Sequence, residues 1–257
     1  MQPARTLRAR LGDGKPVVGM LVSNHLWPEI VEIASDAGLD YIVIDQEHGP
    51  HSEETMAQTC ALGRVAGYPV LIRPVSNDFR TVSKTMDLGP CGLVLAAVED
   101  AGTMDGVRDA VWMPPRGKRR PGGLGNRWVK NYYRQTWKEG VEDHVIVIPQ
   151  IETRTGLANV RAIAEHEVVT AVGIGPYDLM MAVGADLNHK HPAFVEARGK
   201  VRDTAAAVGK LFWDVGNTVL LAGDGGRFLC MGDPVGLLTK SLREQVEQTR
   251  KAAGVPG

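Results

Sequence analysis

A chain of 257 residues with 44% hydrophobic and 23% charged side chains has the composition of a folded globular protein, and its length suits one α/β barrel. The formal net charge of −1 argues against a general nucleic-acid or membrane-surface binder. The three cysteines (Cys60, Cys91 and Cys230) are far apart, which excludes a zinc finger and a disulfide scaffold.

Eight short apolar runs alternate with longer segments of helical periodicity. Because the runs are continuously apolar, they predict parallel strands that are covered on both faces. Strand and helix alternating eight times predict a (β/α)8 TIM barrel, with residues 1–257 as one domain; a doubly wound open sheet is the alternative. The runs are PVVGMLVS from Pro16, YIVID from Tyr41, YPVLIRP from Tyr68, CGLVLAAVE from Cys91, HVIVIPQIET from His144, TAVGIGP from Thr170, KLFWDV from Lys210 and RFLCMG from Arg227.

The segments between the runs predict helices. HLWPEIVEIASDAG, from His25, has a 3.6-residue apolar pattern and ends at Gly38, a residue type typical of helix C-caps. SEETMAQTCALGRVAG begins with Ser52 as its N-cap and carries acids in its first turn. The same pattern recurs in NDFRTVSKTMDLG, EDAGTMDGVRDAV, ETRTGLANVRAIAEH and PAFVEARGKVRDTAAAVG.

One irregular segment is rich in basic residues. It contains PPRGKRRPGGLGNRW, and a phosphate or nucleic-acid site there is less expected than a solvated loop or an oligomer contact, because the net charge is near zero. Neither GGLG nor GDGG matches the GxGxxG fingerprint after a first strand, so a dinucleotide site is not predicted. Its basic residues are Arg116, Lys118, Arg119, Arg120 and Arg127.

No signal-peptide-like apolar region opens the sequence, and no run of about 18 apolar residues occurs in it. We therefore expect a cytoplasmic protein without a membrane partner.

Polar and ionisable residues follow several of the predicted strands. Barrel enzymes carry their catalytic residues at the carboxyl ends of the strands, where all eight strands open on one face. Several such residues at one face make a site more probable than a set of unrelated helix caps. They are Asp45, Glu47, His48, Arg73, Gln150, Glu152 and Asp178.

Glu152 and Asp178 form the best candidate pair for a metal. Two carboxylates from neighbouring strands suit a hard divalent cation that keeps positions open for water and substrate oxygens, although each acid alone would read as a helix cap. Arg73, between Ile72 and Pro74, suits a bidentate grip on a small carboxylate; an ion pair with a barrel acid is its alternative.

His48 is the natural general base, because an imidazole titrates near neutral pH. Asp87 lies near the carboxyl end of its predicted helix, where the helix dipole disfavours an acid, so a cationic or imidazole partner is expected for it. Lysine is absent from the bodies of the eight runs, with Lys210 only at an edge, which disfavours a Schiff-base mechanism. A serine nucleophile elbow is also absent from the sequence.

Four motifs resemble those of the metal-dependent (class II) pyruvate aldolases of the HpcH/HpaI family. They are DQEHGPH, the IRP around Arg73, PQIET and GIGPYDL, and the resemblance runs from about Val17 to about Leu238. The family includes 4-hydroxy-2-oxoheptanedioate aldolase and the 2-keto-3-deoxy-sugar-acid aldolases.

The resemblance implies a barrel that assembles as a hexamer, a trimer of dimers, with its last helix exchanged between subunits. It implies Mg, Mn or Co held by Glu152 and Asp178, and pyruvate with its enolate held by Arg73. It also implies that His48 acts as base, paired with Asp87. The remaining substrate contacts implied are Gln150 near pyruvate, Asp45 on the aldehyde side, and Gly175, Pro176, Tyr177 and Met20 around the substrate.

Two residues depart from the family pattern. Met20 stands where many relatives carry a large aromatic residue, and Tyr177 stands where alanine or asparagine is common. Both are expected to border the aldehyde pocket, so the identity of the aldehyde does not follow from the family.

The resemblance therefore implies a carbon–carbon lyase that cleaves 4-hydroxy-2-oxo acids to pyruvate and a small aldehyde. Three alternatives remain open at this point. The same site could decarboxylate oxaloacetate, or the chain could cleave acyl-CoA thioesters, which requires a basic nucleotide groove. A catalytically silent small-acid binder is the least expected.

Overall fold

A computed structural model describes residues 1–120, 122–123, 127–131 and 133–254. Eight parallel strands close into a barrel in the order β1 to β8. The strands are β1 Val17–Val22, β2 Tyr41–Asp45, β3 Val70–Arg73, β4 Gly92–Leu95, β5 Ile146–Ile151, β6 Ala171–Ile174, β7 Leu211–Val215 and β8 Phe228–Met231. The predicted (β/α)8 barrel is thus confirmed, and each predicted apolar run contains one of these strands.

Helices surround the barrel and follow the strands. They are α1 Gln2–Gly12, α2 Ile30–Asp36, α3 Glu53–Ala66, α4 Phe79–Asp87, α5 Ala101–Val111, α6 Arg134–Trp137, α7 Arg154–Glu165, α8 Pro176–Val183, α9 Pro192–Ala207, α10 Thr218–Gly223 and α11 Pro234–Ala252. A short π-helical turn, Lys138–Glu142, continues α6. Within the described ranges, none of these helices is long and apolar enough to cross a membrane.

The lower half of the barrel is filled by aromatic side chains. The Tyr41 hydroxyl donates to the Leu229 carbonyl at 2.7 Å and accepts from Trp213 Nε1 at 2.7 Å. Phe228 packs edge-on against Tyr41 at 5.3 Å. A Cβ on Gly19 would lie 2.3 Å from the Tyr41 ring, so glycine is required on β1 to admit this ring. The packed interior leaves the carboxyl ends of the strands as the place for a site.

Helix boundaries follow capping chemistry more closely than apolar periodicity. Ser52 caps α3 as predicted, because its hydroxyl accepts from the Thr55 N–H at 3.1 Å. Helix α2 begins at Ile30 and is shorter than predicted, and Pro28 disfavours helical backbone at Trp27, so the residues before it stay outside the helix. Gly38 follows α2 with a φ of +79°, the left-handed conformation expected after a helix end.

The two terminal helices differ sharply in burial. Helix α1 packs four buried residues on the barrel, and Arg8 donates to the carbonyls of His144 and Val145, near the start of β5. Helix α11 buries none of its residues. It exposes Leu237, Leu238, Leu242 and Val246.

Candidate active site

Arg73 and Asp45 form the centre of the mouth of the barrel. They end the adjacent strands β3 and β2 and are paired in register. Arg73 Nε donates to Asp45 Oδ1 at 2.9 Å, and Arg73 Nη2 donates to Asp45 Oδ2 at 2.7 Å. Burial opposes the charge of the guanidinium, but the hydrogen bonds and charge of Asp45 outweigh it and raise the pKa of Arg73. The bidentate geometry fixes the plane of the guanidinium.

Asp45 is fully buried and its carboxylate is committed to neighbours. Besides Arg73, it accepts from the Ser23 hydroxyl at 2.8 Å and from the backbone N–H groups of Glu47 and His48. Burial raises the pKa of Asp45, but the bonds from Arg73 and Ser23 overcome this effect and leave it lowered. The sequence predicts Asp45 on the aldehyde side, whereas the structure places it beneath Arg73 as its anchor.

Arg73 retains hydrogen-bonding capacity beyond this pair. Its Nη1 donates to Gln150 Oε1 at 3.4 Å, and its Nε lies 3.3 Å from Glu47 Oε2. Of five N–H donors on a guanidinium, three are thus engaged by Asp45 and Gln150, and one on each terminal nitrogen stays uncommitted to the described residues. Those two donors suit the two oxygens of a ligand carboxylate.

Glu152 comes directly after β5 and is held by a strained loop. Its Oε2 accepts from the Ala97 N–H at 2.6 Å. Ala97 has a φ of +48°, which is uncommon for a residue with a side chain, and Asn77 fixes the loop by donating to the Ala96 carbonyl at 2.6 Å. The sequence gives no signal for the roles of Ala97 and Asn77, because alanine is not a residue type that indicates a left-handed backbone conformation.

Gly175 allows Glu152 its position. A Cβ on Gly175 would lie 1.8 Å from Glu152 Oε1, so any larger residue would displace the carboxylate. Gly175 also precedes Pro176, the first residue of α8, and puts Asp178 in the first turn of that helix, where it is exposed. Burial, together with the charges of Asp178 and Glu47, raises the pKa of Glu152 to about 7, despite the opposing bond from Ala97.

This electrostatic arrangement fits a divalent cation. Across the described ranges, no group of three or more His, Cys, Asp or Glu side chains is arranged to enclose a metal ion. Glu152 and Asp178 are close enough for their charges to interact, and Mg²⁺ in enzymes is commonly held by one or two carboxylates with water and substrate oxygens completing its shell. A cation held by Glu152 and Asp178 would offset both the burial and the like charges that raise the pKa of Glu152.

His48 lies at the rim of the mouth, with 66% of its side chain exposed. Its Nε2 is 3.8 Å from Glu47 Oε2, so Glu47 is the carboxylate beside it. Asp87 does not pair with His48 within the chain: its Oδ1 accepts from Arg119 Nη2 at 2.6 Å instead. The prediction of a cationic partner for Asp87 is confirmed, and the pairing implied by the family resemblance is not formed in this chain.

The side chain of Met20 points to the outer face of the barrel, contrary to its predicted place at the aldehyde pocket. On β1, Gly19 faces Tyr41 inside the barrel and Ser23 faces Asp45, so Leu21 between them faces inward. Met20 points the other way, into a cavity of about 700 Å³ that α2 and α11 line. The inward residue near the mouth is therefore Leu21.

Tyr177 lies at the start of α8, next to Asp178, with 63% of its surface exposed. Its ring is 6.2 Å from the ring of His189, which in turn lies 5.8 Å from Phe194. Tyr177 is thus supported from one side and open on the other, at the edge of the mouth.

Three of the five basic residues of this segment are paired with acids, whereas Arg120 and Arg127 are exposed; residues 121 and 124–126, which include part of the GGLG motif, lie outside the described residues. Arg119 is buried and also donates to the carbonyls of Ser83 and Ala110. Arg116 pairs with Glu142 at 3.1 Å, and Lys118 pairs with Asp109 at 2.6 Å. These contacts tie the segment to the helices around the barrel at three points, while Lys118, Arg120 and Arg127 remain exposed to solvent.

Lys210 is at the amino end of β7, on the face of the barrel opposite the mouth, and donates to the Val169 carbonyl at 2.5 Å. This position agrees with the expectation that lysine takes no part in a Schiff base at the mouth.

The chain is similar to known proteins both in sequence and in fold. The sequence matches the family model described as HpcH/HpaI aldolase/citrate lyase over residues 20–232. The hydroxypyruvate/pyruvate aldolase of Pseudomonas aeruginosa is 32% identical over 99% of this chain and 96% of its own length. The 2-keto-3-deoxy-L-rhamnonate aldolase of Escherichia coli O1:K1 is 31% identical over 72% of this chain and 69% of its own length. The crystal structure of an HpcH/HpaI aldolase from Desulfitobacterium hafniense matches with a TM-score of 0.88 at 26% identity, covering 98% of both chains.

Proposed function

Because the chain belongs to the HpcH/HpaI aldolase/citrate lyase family, we propose that it catalyses metal-dependent, reversible aldol cleavage of a 4-hydroxy-2-oxo acid to pyruvate and an aldehyde. It is an aldehyde-lyase, like its relatives from Pseudomonas aeruginosa and Escherichia coli. The observation that carries the proposal is the buried guanidinium of Arg73, which has two donors uncommitted to the described residues and interacts with the charge of Glu152 at the barrel mouth.

Glu152 and Asp178 would hold the divalent cation. We propose Mg, Mn or Co, because hard or borderline ions accept carboxylate and carbonyl oxygens as ligands. When bound, such an ion acts as a Lewis acid toward the oxygens of a 2-oxo acid. Two residues would help to place the metal-binding carboxylate of Glu152. Gly175 leaves room for it, and the Ala97 N–H donates to it.

Arg73 would bind the carboxylate of the 2-oxo acid and stabilise the negative charge that develops on its 2-oxo oxygen. Asp45 holds the guanidinium plane, so these donors are in place before the substrate arrives. Preorganised donors at a developing charge are the largest electrostatic contribution to many enzyme reactions. Gln150, 3.4 Å from Arg73, would lie beside the same substrate carboxylate with Gly175 and Pro176.

His48 would move the proton of the 4-hydroxyl. In cleavage, the imidazole takes this proton, the bond between C3 and C4 breaks, and its electron pair passes toward the 2-oxo oxygen. The aldehyde leaves, and C3 then takes up a proton to give pyruvate. Because the imidazole is exposed at the rim, it can exchange its proton with solvent, and the Glu47 carboxylate lies 3.8 Å from it.

The aldehyde would leave between Tyr177 and the inward face of β1. Tyr177, exposed beside Asp178, carries a hydroxyl and a bulky ring that favour a short or polar aldehyde. Leu21, rather than Met20, is the β1 residue that would contact it, because Met20 lies on the outer face.

Two alternative reactions are less well supported. Decarboxylation of oxaloacetate needs Arg73 and the cation but no aldehyde base, so it fits best as a side activity of the same site. A lyase for acyl-CoA thioesters needs a basic groove for the nucleotide. In the described part of the basic segment, Arg116, Lys118 and Arg119 are already paired with acids.

The exposed helix α11 supports a homo-oligomer. Its exposed leucines and the adjoining cavity of about 700 Å³ form an apolar surface that association would cover. We propose a hexamer, a trimer of dimers, in which α11 is exchanged between subunits. Analytical ultracentrifugation would give about six times the 27.8 kDa chain mass for this assembly, and a monomer would contradict it.

Pyruvate release tests the proposed reaction directly. Protein stripped with EDTA is incubated with racemic 4-hydroxy-2-oxo acids of increasing chain length, with and without added Mg, Mn or Co, and pyruvate is measured with lactate dehydrogenase. Release only with metal supports the proposal. If oxaloacetate loses CO₂ while none of the hydroxy acids is cleaved, the aldehyde half of the proposal is wrong.

A further inference from the structure

A continuous chain of hydrogen bonds connects the first residue before α11 to Arg73. It crosses the carboxyl ends of four adjacent strands, in the order β8, β1, β2 and β3. Its members are Asp233, Ser23, Asp45 and Arg73. The inner two bonds belong to the site already described, whereas Asp233 lies beyond it.

The two carboxylate oxygens of Asp233 accept hydrogen bonds from two different segments of the chain. Oδ1 caps α11 by accepting from the Val235 N–H at 2.7 Å. Oδ2 accepts from the backbone N–H groups of Ser23 at 3.1 Å and Asn24 at 2.8 Å. One side chain therefore ties the start of the last helix to the end of β1.

Ser23 needs such an anchor because no regular structure holds its segment. Residues 23–29 connect β1 to α2 without helix or strand, and His25 within them has a left-handed φ of +51°. The Ser23 hydroxyl donates to Asp45 Oδ2 at 2.8 Å, the same oxygen that accepts from Arg73 Nη2 at 2.7 Å. The backbone position of Ser23 thus contributes to where that oxygen, and with it the guanidinium, is held.

We propose that Asp233 is a positioning residue for Arg73, acting through Ser23 and Asp45. The consequence is that the position of the first turn of α11 is coupled to the grip of the site on the carboxylate of its 2-oxo acid. This inference rests on the proposed function, since it assigns Asp233 to the same pyruvate site. A movement of α11 would then weaken pyruvate binding without any change in the residues that contact pyruvate.

The test compares Asp233→Ala, Ser23→Ala and the double variant in the metal-loaded protein. Exchange of the methyl protons of pyruvate in D₂O, followed by NMR, gives KM and kcat for pyruvate without an aldehyde. Each single variant should raise KM by about three- to tenfold, the net effect of one ordinary hydrogen bond, with a smaller change in kcat. Because the two residues act in series, the double variant should be no worse than the poorer single variant.

Two control variants separate positioning from general loss of stability. Asp100→Ala removes an N-cap from α5, where Asp100 accepts from the Thr103 N–H at 2.8 Å, without a bond to the mouth. It should lower Tm as Asp233→Ala does and leave KM unchanged. Ser23→Thr keeps the hydroxyl and should restore the KM that Ser23→Ala loses.

Two results would overturn the inference: an unchanged KM in Asp233→Ala, or effects of Asp233 and Ser23 that add in full. If Asp233→Ala does not fold, a wild-type KM in Ser23→Ala has the same force, because the chain of bonds passes through that hydroxyl. If the wild-type protein exchanges no pyruvate protons with any metal, the proposed function fails instead.

Discussion

The substitution Gly175→Ala should disable the site by moving one carboxylate. Gly175 has φ −92° and ψ 102°, values that alanine adopts freely, so the backbone is not strained by the change. The new Cβ would lie 1.8 Å from Glu152 Oε1 and 2.6 Å from its Cδ. The carboxylate must therefore shift by about 1 Å or more to reach an ordinary contact distance, and its bond from the Ala97 N–H must lengthen.

A displacement of about 1 Å at a reacting centre costs on the order of 100-fold in rate. We expect kcat/KM for pyruvate formation to fall by about that factor, and the affinity for Mn²⁺, measured by calorimetry, to fall with it. Gly106→Ala is the matched control, because no atom lies within 4 Å of its new Cβ on α5. That variant should keep full activity and gain about 0.5–1 kcal/mol in stability. Wild-type Mn²⁺ affinity and kcat/KM in Gly175→Ala would refute the placement of Glu152 at the metal site.

Four further predictions concern the mouth and the barrel interior. His48→Ala should reduce aldol cleavage at least 100-fold, the usual contribution of general acid–base catalysis, and oxaloacetate decarboxylation far less; equal losses would remove His48 from the proton-transfer role. Arg73→Lys should raise KM for pyruvate despite keeping the charge, because an ammonium cannot make the bidentate pair with Asp45; a wild-type KM would contradict this. The pKa of Asp45 is lowered in the folded protein, so ionised Asp45 stabilises the fold fully above its unfolded pKa near 4, and this stabilisation is lost as pH falls through the folded pKa. In Asp45→Asn the free energy of unfolding should therefore fall less steeply with decreasing pH in acid melts. An unchanged pH dependence would contradict the pairing. Tyr41→Phe should destabilise the barrel by about 1–3 kcal/mol in urea unfolding, because Trp213 Nε1 and the Leu229 carbonyl lose their partner; an unchanged midpoint would show that water replaces the hydroxyl.

The fold was predictable because continuous apolar runs and helical periodicity alternate without interruption. The continuous apolar character of the runs, however, gives no information on which side of β1 faces the barrel interior. In VVGMLV nearly every residue is apolar, so the sequence alone does not show which side of the strand faces inward. Barrel closure against Tyr41 and Asp45 decides that Leu21 faces in and Met20 faces out.

The positions of Arg73 and Glu152 at the mouth of the barrel were predictable, because each ionisable side chain stands at the end of a predicted strand. Residues that act through backbone geometry carried no such signal. Ala97 donates its N–H to Glu152 from a left-handed conformation, which the residue type alanine does not predict. The partner of Asp87 was predictable in charge but not in identity, because several basic residues of one segment could serve and only packing buries Arg119 beside it.

The most direct test of the central claim is exchange of the methyl protons of pyruvate in D₂O, measured by NMR on EDTA-stripped protein, because it needs no knowledge of the aldehyde. The account predicts exchange only after a divalent metal is added, and its loss in both Glu152→Gln and Asp178→Asn. Metal-dependent exchange that survives in both variants would contradict the site, and absence of exchange in the wild-type protein with Mg, Mn and Co would contradict the proposed reaction.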